Sequence, residues 1–151
     1  MHVNVDFVVE IEMDPAWESL LREAVVAAVG VSDYAGTASL TLLLSDDARL
    51  QALNLAFMGY DKPTDVLSFP SGEWLTSPVV NLGDIAISVP QARRQAAQAG
   101  HTVAAELQLL VVHGVLHLLG HDHAEPAQKD AMWRLQAAAL ARLGTAVALP
   151  P

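Results

Sequence analysis

The chain has 151 residues, 52% of them hydrophobic, so it can bury one substantial core, and we predict a single domain over residues 1–151. Eight Lys and Arg residues against 17 Asp and Glu give a formal net charge of -9. This charge excludes a broad surface that coats nucleic acid, so any contact with RNA must be local. The absence of cysteine excludes disulfides and thiolate metal sites, so a metal ion would need histidine together with carboxylate or water.

Four strands are predicted from hydrophobic periodicity. In the first segment, alternate residues from Val3 to Ile11 are apolar and most of the residues between them are polar. This two-residue period indicates a half-buried strand over residues 3–12. Apolar runs bounded by turn residues predict three further strands, over residues 38–45, 64–70 and 81–88.

Capping residues and helix breakers delimit the predicted helices. Asp14 and Pro15 favour the start of a helix that ends at Gly30, and Ser45 can cap a second helix that continues to Met58. Three more helices are predicted over residues 91–99, 102–119 and 126–143, with Thr102 as the cap and Gly120 as the end of the middle one. Residues 145–151 are expected to form a frayed tail.

The order of these elements predicts the fold class. Strands come first and helices follow, which indicates an α+β fold with a small mixed sheet of about four strands packed with helices. The helix over residues 102–119 is apolar nearly all round, so it should be buried at the centre. The longest uncharged run, residues 107–121, is shorter than the ~20 residues that span a bilayer, and the first residues lack a secretory signal pattern. We therefore expect a cytoplasmic protein with no membrane partner.

Four of the six histidines lie in the stretch HGVLHLLGHDH, residues 113–123. His113 and His117 are four residues apart, so on a helix their imidazoles share one face. Gly120 allows a sharp reversal that can bring His123 to the same ion. Three neutral imidazoles with an open coordination position are typical of catalytic zinc. We predict one zinc ion per chain bound by these three residues and expect His121 to be a surface residue.

The spacing HxxxHxxGxxH is that of the metzincin peptidases, which suggests a metal-dependent hydrolase. Those enzymes carry a general-base Glu directly after the first His, and this chain has Gly114 there. A residue without a side chain cannot abstract a proton, so the peptidase hypothesis loses its base. The remaining roles of the metal, polarising an oxygen and lowering the pKa of bound water, suit phosphodiester cleavage.

Three carboxylates are candidates for a catalytic or supporting role. Asp122 can orient a ligand imidazole, or it can serve as a turn residue. Glu106 lies seven residues before His113 on the same helical face, although a charge at a helix start is an equal alternative. Asp65 can face a cleft beside its strand, or it can support the turn before it. The catalytic residue itself is not assigned.

The chain resembles the YbeY-type endoribonucleases, also described as rRNA maturation factors, in three elements. HGVLHLLGHDH matches the HGxLHLxGxDH element of that family. Residues 53–70, LNLAFMGYDKPTDVLSFP, match a second element that ends in PTDVLSF, and NLGDIAIS, residues 81–88, matches a third, GDIxIS. The order and separation of the elements also agree, and the resemblance extends over essentially the whole chain.

The resemblance implies a single-domain α+β fold, zinc bound by His113, His117 and His123, and metal-dependent cleavage of single-stranded RNA. It implies maturation of the 3′ end of 16S rRNA, ribosome quality control and a cytoplasmic location. The expected partners are rRNA or its precursor and the small ribosomal subunit or one of its proteins. The alternative is a ribosome-assembly factor with weak or absent cleavage, in which zinc mainly stabilises the fold.

One position departs from the family pattern. The LNxxFR part of the second element normally contains an arginine, and alignment of Leu53, Asn54 and Phe57 places Met58 there. Methionine carries no charge and donates no hydrogen bond, so a guanidinium contact to phosphate is missing. By sequence, the nearest substitutes are Lys62, Arg93 and Arg94, although a solvated helix face is the simpler interpretation of the two arginines.

Overall fold

The computed structural model describes residues 1–145, and within them a four-stranded sheet and five α-helices. The strands are β1 (His2–Val9), β2 (Thr37–Ser45), β3 (Val66–Pro70) and β4 (Val79–Ser88). The helices are α1 (Ala16–Val31), α2 (Asp47–Leu53), α3 (Val89–Ala99), α4 (Val103–Leu118) and α5 (Pro126–Leu143). A π-helical turn, Asn54–Met58, continues α2. The predicted α+β class is confirmed.

The sheet is mixed, with the spatial order β1-β2-β4-β3. Strand β2 is parallel to both β1 and β4, whereas β3 pairs with β4 in the antiparallel direction at the edge. Parallel neighbours need a long connection, and α1 supplies it between β1 and β2. The sequence predicted the four strands and a mixed sheet, but not their order, which depends on pairing between distant segments.

One face of the sheet carries the main hydrophobic core. Leu40, Leu42 and Leu44 alternate along β2, are almost fully buried, and belong to a cluster shared with α1, α4 and α5. Helix α4 lies at the centre, because all its residues are buried except Val103, Ala104, His113 and His117. The predicted central position of this helix is therefore confirmed, and the two histidines interrupt an otherwise buried surface.

Strand β1 is shorter than the predicted strand over residues 3–12, because it ends at Val9. Its last pair joins Val9 to Leu44, and β2 itself ends one residue later. Beyond that point no neighbouring strand continues the ladder of β1, although the N–H of Glu10 still donates to the carbonyl of Leu44 at 2.9 Å. The alternating sequence pattern thus extends beyond the residues of β1 that pair with β2.

Two predicted helix boundaries are wrong. Ser45 does not cap α2, because it is still paired with Ser88 in the sheet; the Asp46 side chain instead accepts from the N–H of Arg49 at 2.9 Å. Gly30 does not end α1, which continues to Val31. A Cβ atom at residue 30 would lie 2.7 Å from Nη1 of Arg142, the far end of a long side chain of α5.

Small corrections apply to three further elements. Strand β3 begins at Val66 rather than at residue 64, because the Asp65 side chain accepts a hydrogen bond of 2.7 Å from the N–H of Val66. Helix α3 includes Pro90 in its first turn, with Ser88 as the cap, since a proline there loses no helical hydrogen bond. Strand β4 begins two residues before residue 81.

The opposite face of the sheet is packed in part by α2 and its π-helical turn. Leu50, Leu67 and Ala86 form a second, smaller buried cluster there. Beside it lies a groove of about 410 Å³, lined by residues that include Phe69 and Asp84. The two faces are therefore distinct, and α4 with its histidines lies on the side of the main core.

Thr145, the last described residue, donates from Oγ1 to Oε1 of Gln108 at 2.6 Å and is fixed to the fold. The rest of the predicted frayed tail, residues 146–151, lies outside the described part of the chain. Within residues 1–145, no single helix is long and apolar enough to cross a membrane; α3 and α4 meet that test only as a pair, bent by 113° at the break between them.

Candidate metal centre

The two ends of α4 have the capping residues that the sequence predicted. Oγ1 of Thr102 accepts from the N–H of Ala105 at 3.1 Å at the start of the helix. At the end, Gly120 has a φ of 96°, its N–H donates to the carbonyl of His117, and the next N–H, of His121, donates to the carbonyl of Leu116, each at 3.0 Å. This pair of bonds is a Schellman motif, which reverses the chain after the helix.

The reversal brings the three predicted histidines together. His113, His117 and His123 each offer a ring nitrogen, and these nitrogens all lie within 4.8 Å of one another. The Nε2 atoms of His113 and His117 are 3.1 Å apart. The ring centroid of His123 lies 5.6 Å from that of His113 and 5.3 Å from that of His117. His121 is half-buried and lies outside this group.

The His113 imidazole is oriented by a residue that the sequence analysis missed. Its Nδ1 atom lies 2.6 Å from Oε1 of Gln136, a fully buried residue of α5. An amide oxygen only accepts, so Nδ1 carries the proton and Nε2 presents its lone pair towards His117 and His123. This is the arrangement in which an outer partner fixes the tautomer of a metal-binding histidine.

Burial keeps the paired imidazoles neutral. It is the main cause that lowers the pKa of His113, and the hydrogen bond with Gln136 opposes it. Burial, followed by repulsion from His113 and His123, lowers the pKa of His117 to about 4, while attraction to Asp122 acts in the opposite direction. Neutral imidazoles are the form that binds a metal, so the site competes well against protons near neutral pH.

The donor set fits a divalent metal ion. Three neutral imidazole nitrogens suit zinc, copper, nickel or iron, and with three protein ligands the coordination of zinc stays open. His123 is exposed, so the group of three imidazoles can be reached from solvent. A Cβ at Gly114 would lie 3.0 Å from Cγ2 of Ile85 and 3.3 Å from Oγ of Ser68, so α4 packs closely against the sheet at this residue.

The structure places the three candidate carboxylates differently. Oδ1 of Asp122 accepts from the N–H of His123 at 2.7 Å, so Asp122 holds the turn that presents the third imidazole. Oε1 of Glu106 lies 3.0 Å from Nε2 of His101, and both side chains are nearly buried. Asp65 and Glu106 both line a cavity that reaches His113, and the charge of Asp65 acts on that imidazole.

The proposed substitutes for the missing arginine differ in the contacts that they already make with other residues. Met58 is 42% exposed on the π-helical turn. Arg94 pairs with Asp47 at 2.7 Å, and the guanidinium of Arg93 stacks on the ring of Trp17 at 5.1 Å. The ammonium of Lys62 lies 5.4 Å from the ring centroid of Tyr60, and this lysine is exposed in the loop before β3.

A fourth cation, missed by the sequence analysis, lies against the tryptophan that borders the histidines. The Trp133 ring centroid is 6.0 Å from that of His113 and 5.6 Å from that of His123. Lys129, one turn earlier on α5, places its ammonium 5.6 Å from the same tryptophan ring. Lys129 is six residues beyond the third histidine, but only the packing of α5 against α4 brings it to the cluster.

The sequence of the chain is similar to proteins of one family. The family model described as Endoribonuclease YbeY matches residues 5–144. The Endoribonuclease YbeY of Desulfitobacterium hafniense is 43% identical over 132 residues, which cover 83% of this chain and 84% of that protein. The Endoribonuclease YbeY of Moorella thermoacetica is 44% identical over 140 residues, which cover 83% and 86%.

A solved structure supports the fold independently. A protein of Thermotoga maritima, determined in solution, matches with a TM-score of 0.58 and 22% identity, covering 93% of this chain and 90% of that one. The histidine cluster lies within the residues that the family model matches. From the family match and the identity to its members, the chain belongs to the Endoribonuclease YbeY family.

Proposed function

We propose that the protein is a zinc-dependent endoribonuclease that cleaves phosphodiester bonds of single-stranded RNA. The observation that carries this proposal is the group of three imidazole nitrogens within 4.8 Å of one another, with one of them on an exposed residue, in a member of this family. The natural substrate that we propose is precursor rRNA, cut at the 3′ end of the 16S species.

We assign different roles to the side chains at the site. His113, His117 and His123 would hold the ion, which when bound supplies a Lewis acid for a phosphoryl oxygen and lowers the pKa of water. Gln136 keeps the proton of His113 on Nδ1 and so directs the lone pair of Nε2 into the cluster. Asp65 is a carboxylate in the adjoining cavity whose charge reaches His113, and it is the acid-base candidate that we favour.

A cation near the cluster must balance the negative charge of RNA, because the chain as a whole is acidic. Lys129 lies against Trp133, which borders two of the imidazoles, so its ammonium is placed to attract a phosphate. We assign it the charge-stabilising role that Met58 cannot fulfil. An ammonium acts as a point charge and lacks the bidentate geometry of arginine, so we expect a modest contribution.

The cellular setting is also a proposal. We place the protein in the cytoplasm, where it would meet the small ribosomal subunit or one of its proteins during rRNA maturation and ribosome quality control. A net charge of -9 favours contact with basic ribosomal proteins and leaves RNA binding to the vicinity of the histidines.

The second candidate is a ribosome-assembly factor in which zinc stabilises the fold and cleavage is weak or absent. Met58 and the acidic surface favour it. Its distinguishing expectation is that RNA or a ribosomal protein binds while the RNA remains intact, and that removal of zinc lowers stability rather than a reaction rate.

Incubation of single-stranded RNA with the zinc-loaded protein separates the two functions. We expect cutting that a chelator abolishes, that His113→Ala lacks, and that Met58→Arg matches or raises. Intact RNA with all of these proteins would leave the assembly factor as the better account. In cells that lack the protein, accumulation of 16S rRNA with an unprocessed 3′ end would place it in rRNA maturation.

A further inference from the structure

A cavity of about 450 Å³ extends from the metal centre along α4 and opens to solvent. It lies between α3, α4, α5 and the beginning of β3, and His113 forms one end of its lining. Val66, Leu109 and Leu110 give it apolar walls. Its volume falls in the range of small-molecule sites, ~300 to 1,000 Å³.

The polar groups of this cavity include a donor that the fold does not use. Gln136 is 0% exposed, and its Nε2 has no hydrogen-bond partner in the described part of the chain, because only Oε1 is engaged, with His113. A buried amide donor without a partner destabilises the fold unless a ligand or water supplies an acceptor. Gln136 is one of the residues that line the cavity.

Two carboxylates face the same space and determine the charge of what can enter. Asp65 accepts from the N–H of Val66 and from Nε2 of Gln95, and Glu106 contacts His101. A carboxylate offers about four acceptor positions, so both retain capacity for further donors. Their negative charge repels phosphate, whereas a neutral ring with N–H donors would be bound.

We propose that this cavity is a nucleobase subsite that selects guanine next to the bond that is cut. Guanine has two adjacent donors, N1–H and N2–H, that match a carboxylate, and an acceptor, O6, that matches the free amide of Gln136. The apolar walls would pack against the faces of the ring. The inference rests on the proposed function, because RNA cleavage at the histidines is what brings a base to this cavity.

Binding of nucleosides tests the subsite without any cleavage. The zinc-loaded protein is titrated with guanosine, adenosine, cytidine and uridine, and amide and side-chain NH₂ resonances are followed by NMR. We expect guanosine to bind most tightly and to shift the side-chain NH₂ of Gln136. Nucleosides carry no phosphate, so attraction of a phosphate to the metal or to Lys129 does not contribute to the result.

Variants localise the binding. Asp65→Asn and Glu106→Gln keep the shape and one acceptor while removing a charge, and at least one of them should weaken guanosine binding roughly tenfold or more. Asp84→Asn removes the same charge in the groove on the opposite face and serves as the matched control. Circular dichroism establishes that each variant is folded.

Three outcomes would overturn the subsite: no nucleoside binds, all four bind equally, or Asp84→Asn weakens guanosine as much as the cavity variants do. These outcomes are independent of the proposed function. RNA cutting without guanosine binding would reject the subsite and keep the endoribonuclease. Guanosine binding without RNA cutting would keep a guanine site and reject both the endoribonuclease and the position of that site beside a bond that is cut.

Discussion

The Nδ1 atom of His113 on α4 lies 2.6 Å from the Oε1 atom of Gln136 on α5. The contact joins residues 23 positions apart and lies in the interior, since Gln136 is completely buried. It determines which nitrogen of His113 carries the proton, so the metal centre depends on the packing of two helices and not on the histidine stretch alone.

Replacement of Gln136 should therefore weaken the metal centre. In Gln136→Leu the acceptor for Nδ1 is lost, and we expect zinc affinity to fall about 10- to 100-fold, the usual effect of losing an outer partner. Competition with a chelating dye measures this affinity. Gln136→Glu retains an acceptor at the same place and should bind zinc at least as well as the wild type does. Equal affinity of the leucine variant and the wild type would show that the contact has no such role.

His117→Ala should lose the bound metal. The ring centroid of His117 lies 4.6 Å from that of His113 and 5.3 Å from that of His123, and its removal leaves only two of the three donors. Metal analysis should find close to one zinc per chain in the wild type and a small fraction in the variant. His121→Ala, four residues along but outside the cluster, is the matched control and should keep its zinc.

Much of the centre could be predicted because its geometry is local. The helical face shared by His113 and His117, the cap at Thr102 and the reversal at Gly120 each depend on residues within one or two turns. Short-range rules of helix geometry therefore suffice for them. The three-histidine group is the result of these local features placed in succession.

The other parts of the site depend on packing between segments that are distant in the sequence, and no local sequence pattern predicts this packing. Gln136 and Lys129 reach the cluster only because α5 lies along α4, and in the sequence they look like any polar residues of an amphipathic helix. The failed prediction for Ser45 has the same origin, since its pairing with Ser88 competes with capping. The guanidinium of Arg94 is engaged by Asp47, a residue 47 positions away.

The ion pair of Asp47 and Arg94 predicts a pH dependence of stability. A hydrogen bond from Ser88 and then the contact with Arg94 hold the pKa of Asp47 below its usual value of 3.8. The unfolded chain therefore binds this proton more readily, and the stabilisation present above about pH 3.8 is lost as the pH falls through the folded-state pKa. Asp47→Asn should lower the free energy of unfolding at neutral pH by less than about 1 kcal/mol, because the pair is exposed.

Denaturant unfolding at several pH values checks this expectation for Asp47. The difference between Asp47→Asn and the wild type should shrink as the pH falls below about 3.8 and disappear once the carboxylate is protonated. A difference that stays constant from neutral pH into this acidic range would exclude the ion pair as its source.

Lys129→Ala should slow RNA cleavage and leave the zinc content unchanged. Its ammonium lies 5.6 Å from the Trp133 ring that borders the imidazoles, so its loss removes the positive charge that we propose attracts the phosphate. We expect kcat/KM to fall about tenfold, as for one charge-assisted contact. Arg134→Ala, which removes the same charge from an exposed position of α5, is the control and should have a much smaller effect. Equal losses in the two variants would indicate general attraction of RNA instead of a placed cation.

A pair of glycine variants distinguishes the effect of the Gly120 turn on zinc binding from the general effect of backbone strain on stability. Gly120 and Gly100 end α4 and α3 with positive φ angles of 96° and 77°, and a Cβ at either position would meet no atom within 4 Å. Alanine at each should lower the free energy of unfolding by about 1 kcal/mol, because it is strained in this conformation. Gly120→Ala alone should also weaken zinc binding, since a relaxed turn moves His123 away from its two partners. If Gly100→Ala lost as much zinc affinity, the effect would arise from reduced stability, and the reversal after α4 would not be what assembles the three imidazoles.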